Sequence, residues 1–161
     1  MKRIVFVAIL SIGLFCVEFF LFNLLGRWAK PNFLLLEVLF FNFYLGIRYS
    51  LLAGFMAGFL RDSFSLNAFG VNIFSFVVCA FMTTIAKRYL FHTSVYSLRV
   101  LLAFLITLLN GLVLYVLHSM SVFLDFDQVL KNVLIPEILA TTLVASGTFW
   151  YFRKCVLKFS V

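Results

Sequence analysis

Charged residues are scarce in this sequence of 161 residues, which contains six acidic side chains and 12% charged residues in total. Proline is also rare, with two residues. In contrast, 65% of the residues are hydrophobic and the mean hydropathy is +1.14. Such a chain has too little polar surface to cover a water-soluble globule. The scarcity of charge therefore excludes a soluble domain and predicts an integral membrane protein.

Cysteine is limited to three scattered residues, Cys16, Cys79 and Cys155, each in or beside an apolar run. This odd number and spacing do not match a disulfide framework or a metal site, so we interpret them as small hydrophobic side chains. The two histidines, His92 and His118, have no Glu, Cys or His at ligand spacing beside them in the sequence. A phosphate loop, a nucleophile elbow and a zinc motif are all lacking. We predict no enzyme activity, no metal and no cofactor.

Long apolar runs are abundant, and they are continuous where a membrane-spanning strand would alternate. A bilayer core of roughly 30 Å needs about 20 apolar residues per helix. We therefore predict one polytopic domain, residues 1–161, folded as an all-α compact bundle of six transmembrane helices. The predicted spans are residues 4–25, 33–47, 49–61, 71–87, 99–118 and 133–152. The second and third spans are short, and one continuous helix through Gly46–Ser50 would reduce the count to five.

Basic residues are distributed unevenly between the predicted loops. With six spans and a cytoplasmic N-terminus, nine Lys and Arg residues fall in cytoplasmic segments and four in outer segments. Short loops rich in Lys and Arg stay on the cytoplasmic side, so the bias predicts that both termini are cytoplasmic. Five spans would invert the bias. Membrane topology and contact with lipid account for the net charge of +7, without a nucleic acid partner.

Four of the six acids fall in or beside predicted spans, namely Glu18, Glu37, Asp62 and Glu137. A carboxylate is costly in a membrane, which makes each of them a functional candidate. We place Glu18, Glu37 and Glu137 in a polar zone in the outer half of the bundle. Six asparagines share that level in part: Asn23, Asn32, Asn42, Asn67, Asn72 and Asn132. Two interpretations are open: the zone joins helices by hydrogen bonds, which we favour, or it lines a ligand pocket.

Gly54, Gly58 and Asp62 recur every four residues, so a helix places them on nearly one face. The glycines remove side chains where a neighbouring helix can approach, and Asp62 ends this groove at the outer interface. The adjacent Arg61 offers a partner for the Asp62 carboxylate.

Short segments along the chain form a broader pattern. They are KPNFLLL at residues 30–36 with Pro31, then Gly46, Gly54, Gly58 and Asp62, then Phe69-Gly70, Lys87-Arg88, Leu134-Ile-Pro136 and Arg153-Lys154. This pattern resembles the bacterial rod shape-determining protein family MreD, most specifically over residues 30–88. The resemblance makes Pro31 and Gly70 part of a helix-packing and interaction surface with the two glycines and Asp62. Asn32 departs from the pattern, because the family more usually has an acid there, so we assign it no ionic role.

The resemblance implies a non-catalytic component of the cell-wall elongation complex in the bacterial inner membrane. It also implies direct binding of MreC and, through the complex, association with MreB, RodA and a class B penicillin-binding protein, besides membrane lipid. The alternative is the substrate-binding S component of energy-coupling-factor vitamin transporters, to which MreD is similar in fold and in the glycine-acid segment. The outer polar zone would then be a vitamin pocket. Against it, the first helix lacks the alanines four residues apart with which those components dock their energising subunit.

Overall fold

The structure is a computed structural model that describes residues 2–25, 31–65, 69–90, 96–119 and 130–159. These residues form six α-helices and no strand. A π-helical turn, Leu130–Leu134, runs directly into the last helix. The predicted all-α bundle is confirmed. The helices are α1 (Lys2–Leu25), α2 (Phe33–Tyr44), α3 (Ile47–Ser63), α4 (Val71–Leu90), α5 (Tyr96–Ser119) and α6 (Ile135–Phe159).

Three of the described segments are long and apolar enough to cross a membrane: Arg3–Leu24, Val71–Tyr89 and Leu98–Ser119. They contain 22, 19 and 22 residues, close to the length of about 20 that a bilayer core requires. The segments coincide with the first, fourth and fifth predicted spans. Membrane insertion of this chain thus follows from helix length and composition.

The break between α2 and α3 lies at Leu45 and Gly46. The N–H groups of both residues donate to the Phe41 carbonyl oxygen at 2.9 Å, which ends α2. Gly46 then has φ +90°, a left-handed conformation that glycine adopts readily because it has no Cβ atom. The alternative of one continuous helix through Gly46–Ser50, on which the five-span count depended, is therefore wrong. The predicted second span is also too long, because α2 ends at Tyr44 and not at residue 47.

α2 is the centre of the bundle, because it packs against all five other helices. Every residue from Leu34 to Asn42 is buried. A helix that is apolar on all sides is expected inside a protein, and the sequence LLLEVLFF fits this position. The 12 residues of α2 rise about 18 Å, less than the roughly 30 Å of a bilayer core. α2 is a half-length helix enclosed by longer ones.

Large apolar side chains cover the outer surface of the described helices. α1 contributes Ile9 and Leu24, each 65% exposed, and α6 contributes Leu143, 74% exposed. Lipid tails solvate such side chains as well as other apolar side chains do, so a membrane removes the penalty that water would impose. The opposite face of α1, which includes Val7 and Ser11, is fully buried against the bundle.

Candidate functional site

Polar side chains of the bundle converge on α2. At least one side-chain hydrogen bond joins α2, or the residue that caps it, to each of the other five helices. We call these bonds the α2 contacts. Such interhelical bonds in membranes contribute about 0.6 kcal/mol on average and up to about 2 kcal/mol each. The few polar residues of an apolar chain thus fix the orientation of its central helix.

Glu37 connects α2 to α1. Its Oε1 atom accepts a hydrogen bond from the Ser11 hydroxyl at 2.8 Å, and that hydroxyl also lies 3.0 Å from the Val7 carbonyl oxygen. Because a serine hydroxyl has one proton, it serves one of these acceptors at a time. Glu37 is 3% exposed, and its Oε2 atom has no hydrogen-bond partner within the described residues. The carboxyl group therefore keeps one unused oxygen in the interior.

Asn32 connects the start of α2 to α6. Its side-chain oxygen accepts from the Leu35 N–H at 3.0 Å, as the oxygen of an N-cap residue does. Its Nδ2 group donates to Glu137 Oε1 at 2.9 Å, and its backbone N–H donates to Thr141 Oγ1 at 3.0 Å. An amide suits this position because one side chain accepts from its own helix and donates to the carboxyl group of another.

We expect Asn32→Asp to destabilise the contact between α2 and α6. An aspartate keeps the capping oxygen but removes the amide donor and places a second carboxyl group against Glu137. The expected loss of stability is about 1–3 kcal/mol, measured as a lower thermal unfolding midpoint in detergent. The double variant Asn32→Asp/Glu137→Gln supplies a donor again and should recover most of the loss. Without that recovery, the Asn32–Glu137 bond would not be the cause.

Asn42 connects α2 to α3 and α4. Its Nδ2 atom lies 2.8 Å from Thr84 Oγ1, 2.9 Å from the Ala80 carbonyl oxygen and 3.3 Å from Ser50 Oγ. The amide has two donor hydrogens, which the two shorter contacts can use. Ser50 on α3 donates in turn to the Val38 carbonyl oxygen at 2.9 Å. Three helices are therefore joined at one buried amide.

Two basic residues meet the C-terminal end of α2. Lys87 on α4 donates from Nζ to the carbonyl oxygens of Asn42 and Phe43, both at 3.0 Å. Arg99 on α5 donates to the Tyr44 hydroxyl at 3.0 Å, and its guanidinium carbon lies 5.6 Å from the centre of the Tyr44 ring. The last carbonyl groups of a helix lack partners within the helix and have partial negative charge. Cations at this end therefore stabilise α2.

Gly54 and Gly58 on α3 lie against the backbone of α4. A Cβ atom at Gly54 would lie 3.4 Å from the backbone carbon and oxygen of Phe76, which is a tight but ordinary contact. A Cβ atom at Gly58 would overlap the Ile73 Cα atom and lie 2.6 Å from the Ile73 nitrogen. The two helices thus approach so closely at Gly58 that a side chain does not fit between them.

Asp62 caps α4 from the neighbouring helix. Its carboxylate, in a residue 3% exposed, accepts from the backbone N–H groups of Gly70, Asn72 and Ile73 at 3.0, 3.1 and 3.2 Å. It also accepts from the Asn72 side-chain amide at 2.8 Å. The first N–H groups of a helix lack partners within the helix and have partial positive charge, so a carboxylate is stabilised there. Gly70 supplies the turn before α4 with φ +100°.

Arg61 pairs with Glu18 on α1. The Nη2–Oε1 distance is 2.9 Å, and the two side chains are 15% and 9% exposed, respectively. The guanidinium carbon lies 5.8 Å from the centre of the Phe76 ring. Arg61, which the sequence offered as one partner for Asp62, therefore pairs with Glu18 instead. Successive residues of a helix point about 100° apart, so the two side chains reach different helices.

The predicted outer polar zone is divided into separate pairs. The pairs are Glu18 with Arg61, Glu37 with Ser11 and Glu137 with Asn32. Asn42, one of the asparagines assigned in part to the zone, lies ten residues beyond Asn32, about 15 Å along α2. It is therefore near the opposite end of α2 from Asn32 and Glu137. Pro31, which is buried, precedes the Asn32 cap, and Gly70 precedes α4, so both mark the beginning of a helix.

The sequence did not show which groups donate these bonds, including Ser11, Asn72 and Lys87. Single hydroxyl, amide and ammonium groups in an apolar run form no motif. One signal was available in α1, where Ser11 and Glu18 lie seven residues apart and therefore share a face after two helical turns. Both residues are buried, so this spacing marked the inward face of α1.

Two of the cavities among the described residues bear on the prediction of a ligand pocket. One is an apolar groove of about 300 Å³ between α5 and α6, which leucine, isoleucine and phenylalanine side chains line. The other cavity, of about 20 Å³, is lined by Leu10, Leu14, Phe33, Leu36, Glu37, Phe40 and Thr148. Within the described residues, no cluster of three His, Cys, Asp or Glu side chains could hold a metal ion.

The fold and the α2 contacts define a class of protein, a helical membrane bundle in which buried polar residues join the helices. The sequence model of the family described as rod shape-determining protein MreD matches residues 2–159 of the 161-residue chain. The chain therefore belongs to the MreD family, and the predicted resemblance is confirmed. Family membership supports a role as a membrane protein that determines rod shape. No curated protein and no solved structure matches the chain significantly.

Proposed function

We propose that this protein is a non-catalytic component of the cell-wall elongation complex in the bacterial inner membrane, where it binds MreC and helps determine cell shape. The observation that carries the proposal is that the four acids of the helices form bonds within the chain. Glu18, Glu37, Asp62 and Glu137 each bond to another residue of the same chain. The polar groups therefore stabilise a rigid bundle, whose helix surfaces are available to partners.

The outer surface supports binding within the membrane. Exposed aromatic and aliphatic side chains cover α1, α3 and α4, including Phe20, Phe55 and Phe81. Membrane helices associate through van der Waals packing and a few hydrogen bonds, and this surface offers the packing area. We propose that MreC binds directly, and that MreB, RodA and a class B penicillin-binding protein associate through the complex.

Purification from membranes tests the proposed partner. Tagged protein, co-expressed with MreC and solubilised in mild detergent, should copurify with MreC in a defined ratio and contain no bound small molecule. An unrelated membrane protein with the same tag controls for capture of MreC by detergent micelles. Failure to recover MreC, or recovery equal to that of the control, would contradict direct binding.

The transporter alternative makes the opposite prediction, a stoichiometric vitamin detected by mass spectrometry in the purified protein. A vitamin pocket combines apolar walls with several convergent polar groups. No described cavity favours this, because the three acids of the predicted zone have separate partners and the larger groove has apolar walls. A bound vitamin would nevertheless overturn the proposed assignment.

We further propose that both termini are cytoplasmic. The excess of Lys and Arg in the corresponding loops supports this orientation. The α2 contacts are compatible with it, since Lys87 and Arg99 of the predicted cytoplasmic side meet one end of α2, and Asn32 and Glu137 meet at the other.

Chemical labelling tests the orientation. A single cysteine at position 125, in a variant whose three native cysteines are replaced by serine, should react with a membrane-impermeant maleimide in cells with a permeabilised outer membrane. A matched cysteine at Arg48, exposed at the start of α3, should react only after the inner membrane is opened. The reverse pattern of labelling would contradict the proposed orientation.

A further inference from the structure

The Oε2 atom of Glu37 has no role in the α2 contacts. Glu37 is 3% exposed, and its carboxyl group receives the Ser11 hydroxyl through Oε1 alone. Oε2 has no partner among the described residues. A buried acceptor without a donor is unfavourable, and such groups in native proteins are normally satisfied. Among the described residues this oxygen has no partner, so the space beside it can receive a donor from another molecule.

Glu37 lines a crevice between α1 and α6, which we call the Glu37 crevice. It is the cavity of about 20 Å³, with walls from α1, α2 and α6. In the described part of the chain, α1 and α6 both pack on α2 but not extensively on each other. A volume of this size admits about one small polar group, such as a hydroxyl, an ammonium or a water molecule.

Glycines lie close to the lining residues on both outer helices. Gly13 on α1 precedes Leu14, and Gly147 on α6 precedes Thr148, where Leu14 and Thr148 both line the crevice. Both glycines are exposed, and a Cβ atom at either would have no atom within 4 Å. Small residues on a membrane-facing surface allow the backbone of another helix to approach.

We propose that the Glu37 crevice is the docking site for a transmembrane helix of a partner protein, which places one hydrogen-bond donor against Glu37 Oε2. The apolar walls match an apolar helix, and the unpaired acceptor matches a single donor side chain on that helix. This inference rests on the proposed function, because it assigns a surface to the proposed binding of MreC.

Other occupants match the crevice less well. A water molecule needs two to four polar partners, and the walls other than Glu37 are apolar apart from Thr148. The Thr148 hydroxyl already donates to the Val144 carbonyl oxygen at 2.9 Å and can only accept from a water molecule, which would then have no more than the minimum of two partners. A second copy of the chain, related by a two-fold axis through the crevice, would present the same acceptor to Glu37 and no additional donor. Lipid acyl chains have no donor.

Site-specific photocrosslinking tests the location. Benzoyl-phenylalanine replaces Val17 or Leu143, exposed residues one helical turn from Gly13 and Gly147, or Phe81, 48% exposed on α4, in the full chain co-expressed with MreC. We expect adducts with MreC from the first two positions and not from Phe81. Adducts with MreC from Phe81 alone, or adducts only between copies of the chain, would overturn the inference while MreC binding stood. Absence of MreC from the purified protein would overturn both.

Substitution of Glu37 tests the donor contact. Glu37→Leu should lower MreC recovery by roughly three- to thirtyfold, the range expected for one interhelical hydrogen bond in a membrane. Glu37→Gln keeps an acceptor oxygen and should have a smaller effect. Ser11→Ala removes the same bond between α1 and α2 but leaves Glu37 in place, so recovery should stay close to that of the parent. An equal loss in Ser11→Ala, or no loss in Glu37→Leu when the protein is folded and monodisperse, would overturn the contact.

Discussion

Gly58→Ala should lower the stability of this protein by about 3 kcal/mol, the upper part of the range for overpacking. The added methyl group would overlap the Ile73 Cα atom and lie 2.6 Å from the Ile73 nitrogen. These are backbone atoms, which cannot rotate away as a side chain can, so α3 and α4 must separate. The thermal unfolding midpoint in detergent measures the loss.

Gly54→Ala is the matched control for this prediction. It adds the same methyl group to the same face of α3, one turn earlier, where the nearest atoms of Phe76 are 3.4 Å away. Alanine also favours a helix by roughly 0.5–1 kcal/mol relative to glycine, which offsets the tighter contact. We expect a midpoint close to that of the parent. Equal midpoints for the two variants would show that the close approach of α3 and α4 does not exclude a methyl group at Gly58.

Asp62→Ala should also lower the stability of the protein, by about 3 kcal/mol or more. It leaves the backbone N–H groups of Gly70, Asn72 and Ile73 without their acceptor, and each buried unsatisfied donor costs roughly 1–3 kcal/mol. Water or small rearrangements recover part of that sum. Hydrogen exchange should therefore become faster at the start of α4, in addition to the lower unfolding midpoint.

Two variants distinguish loss of the cap on α4 from a general effect of substitution near the end of α3. Asp62→Asn keeps one acceptor oxygen and loses the charge, so its loss should be intermediate. Ser63→Ala changes the next residue, which is exposed and donates to the Phe59 carbonyl oxygen of its own helix, and should be nearly neutral. Unchanged exchange in the first turn of α4 of Asp62→Ala would contradict the capping role.

The α3–α4 interface also bears on function. α2 is joined to α3 and α4 through Asn42, so a separation of α3 from α4 disturbs the contacts of the central helix. In a strain that lacks the native gene, Gly58→Ala should restore rod shape poorly and Gly54→Ala should restore it well. Both comparisons require equal amounts of protein in the membrane.

Sequence patterns predicted the long helices well and the short central helix less well. Runs of about 20 apolar residues have few conformations available in a membrane, so α1, α4 and α5 followed from composition alone. α2 was mistaken for a longer span, since Leu45 and Ile47 are apolar and the break depends on one left-handed glycine, Gly46. Periodicity also cannot show that a short helix is enclosed, because a uniformly apolar helix has no preferred face.

The predicted site residues show the same contrast between features of one helix, which the sequence predicted, and contacts between helices, which it did not. Spacing placed Gly54, Gly58 and Asp62 on one face, and all three lie against the beginning or the middle of α4. Spacing did not identify the partners of the acids, which come from residues 8 to 105 positions away along the chain. Asn32 illustrates the difficulty: its amide is explained by Glu137, which lies 105 residues later.

By itself, the sequence determined that this is a helical membrane protein of the MreD family, because apolar composition, helix length and local spacing are properties of short segments. Only the tertiary structure decided that α2 is the centre, that Asp62 caps α4 while Arg61 pairs with Glu18, and that Glu37 retains an unpaired oxygen. Those outcomes depend on which helices are neighbours. In an apolar chain, neighbours are selected by packing and by a few buried hydrogen bonds between distant residues.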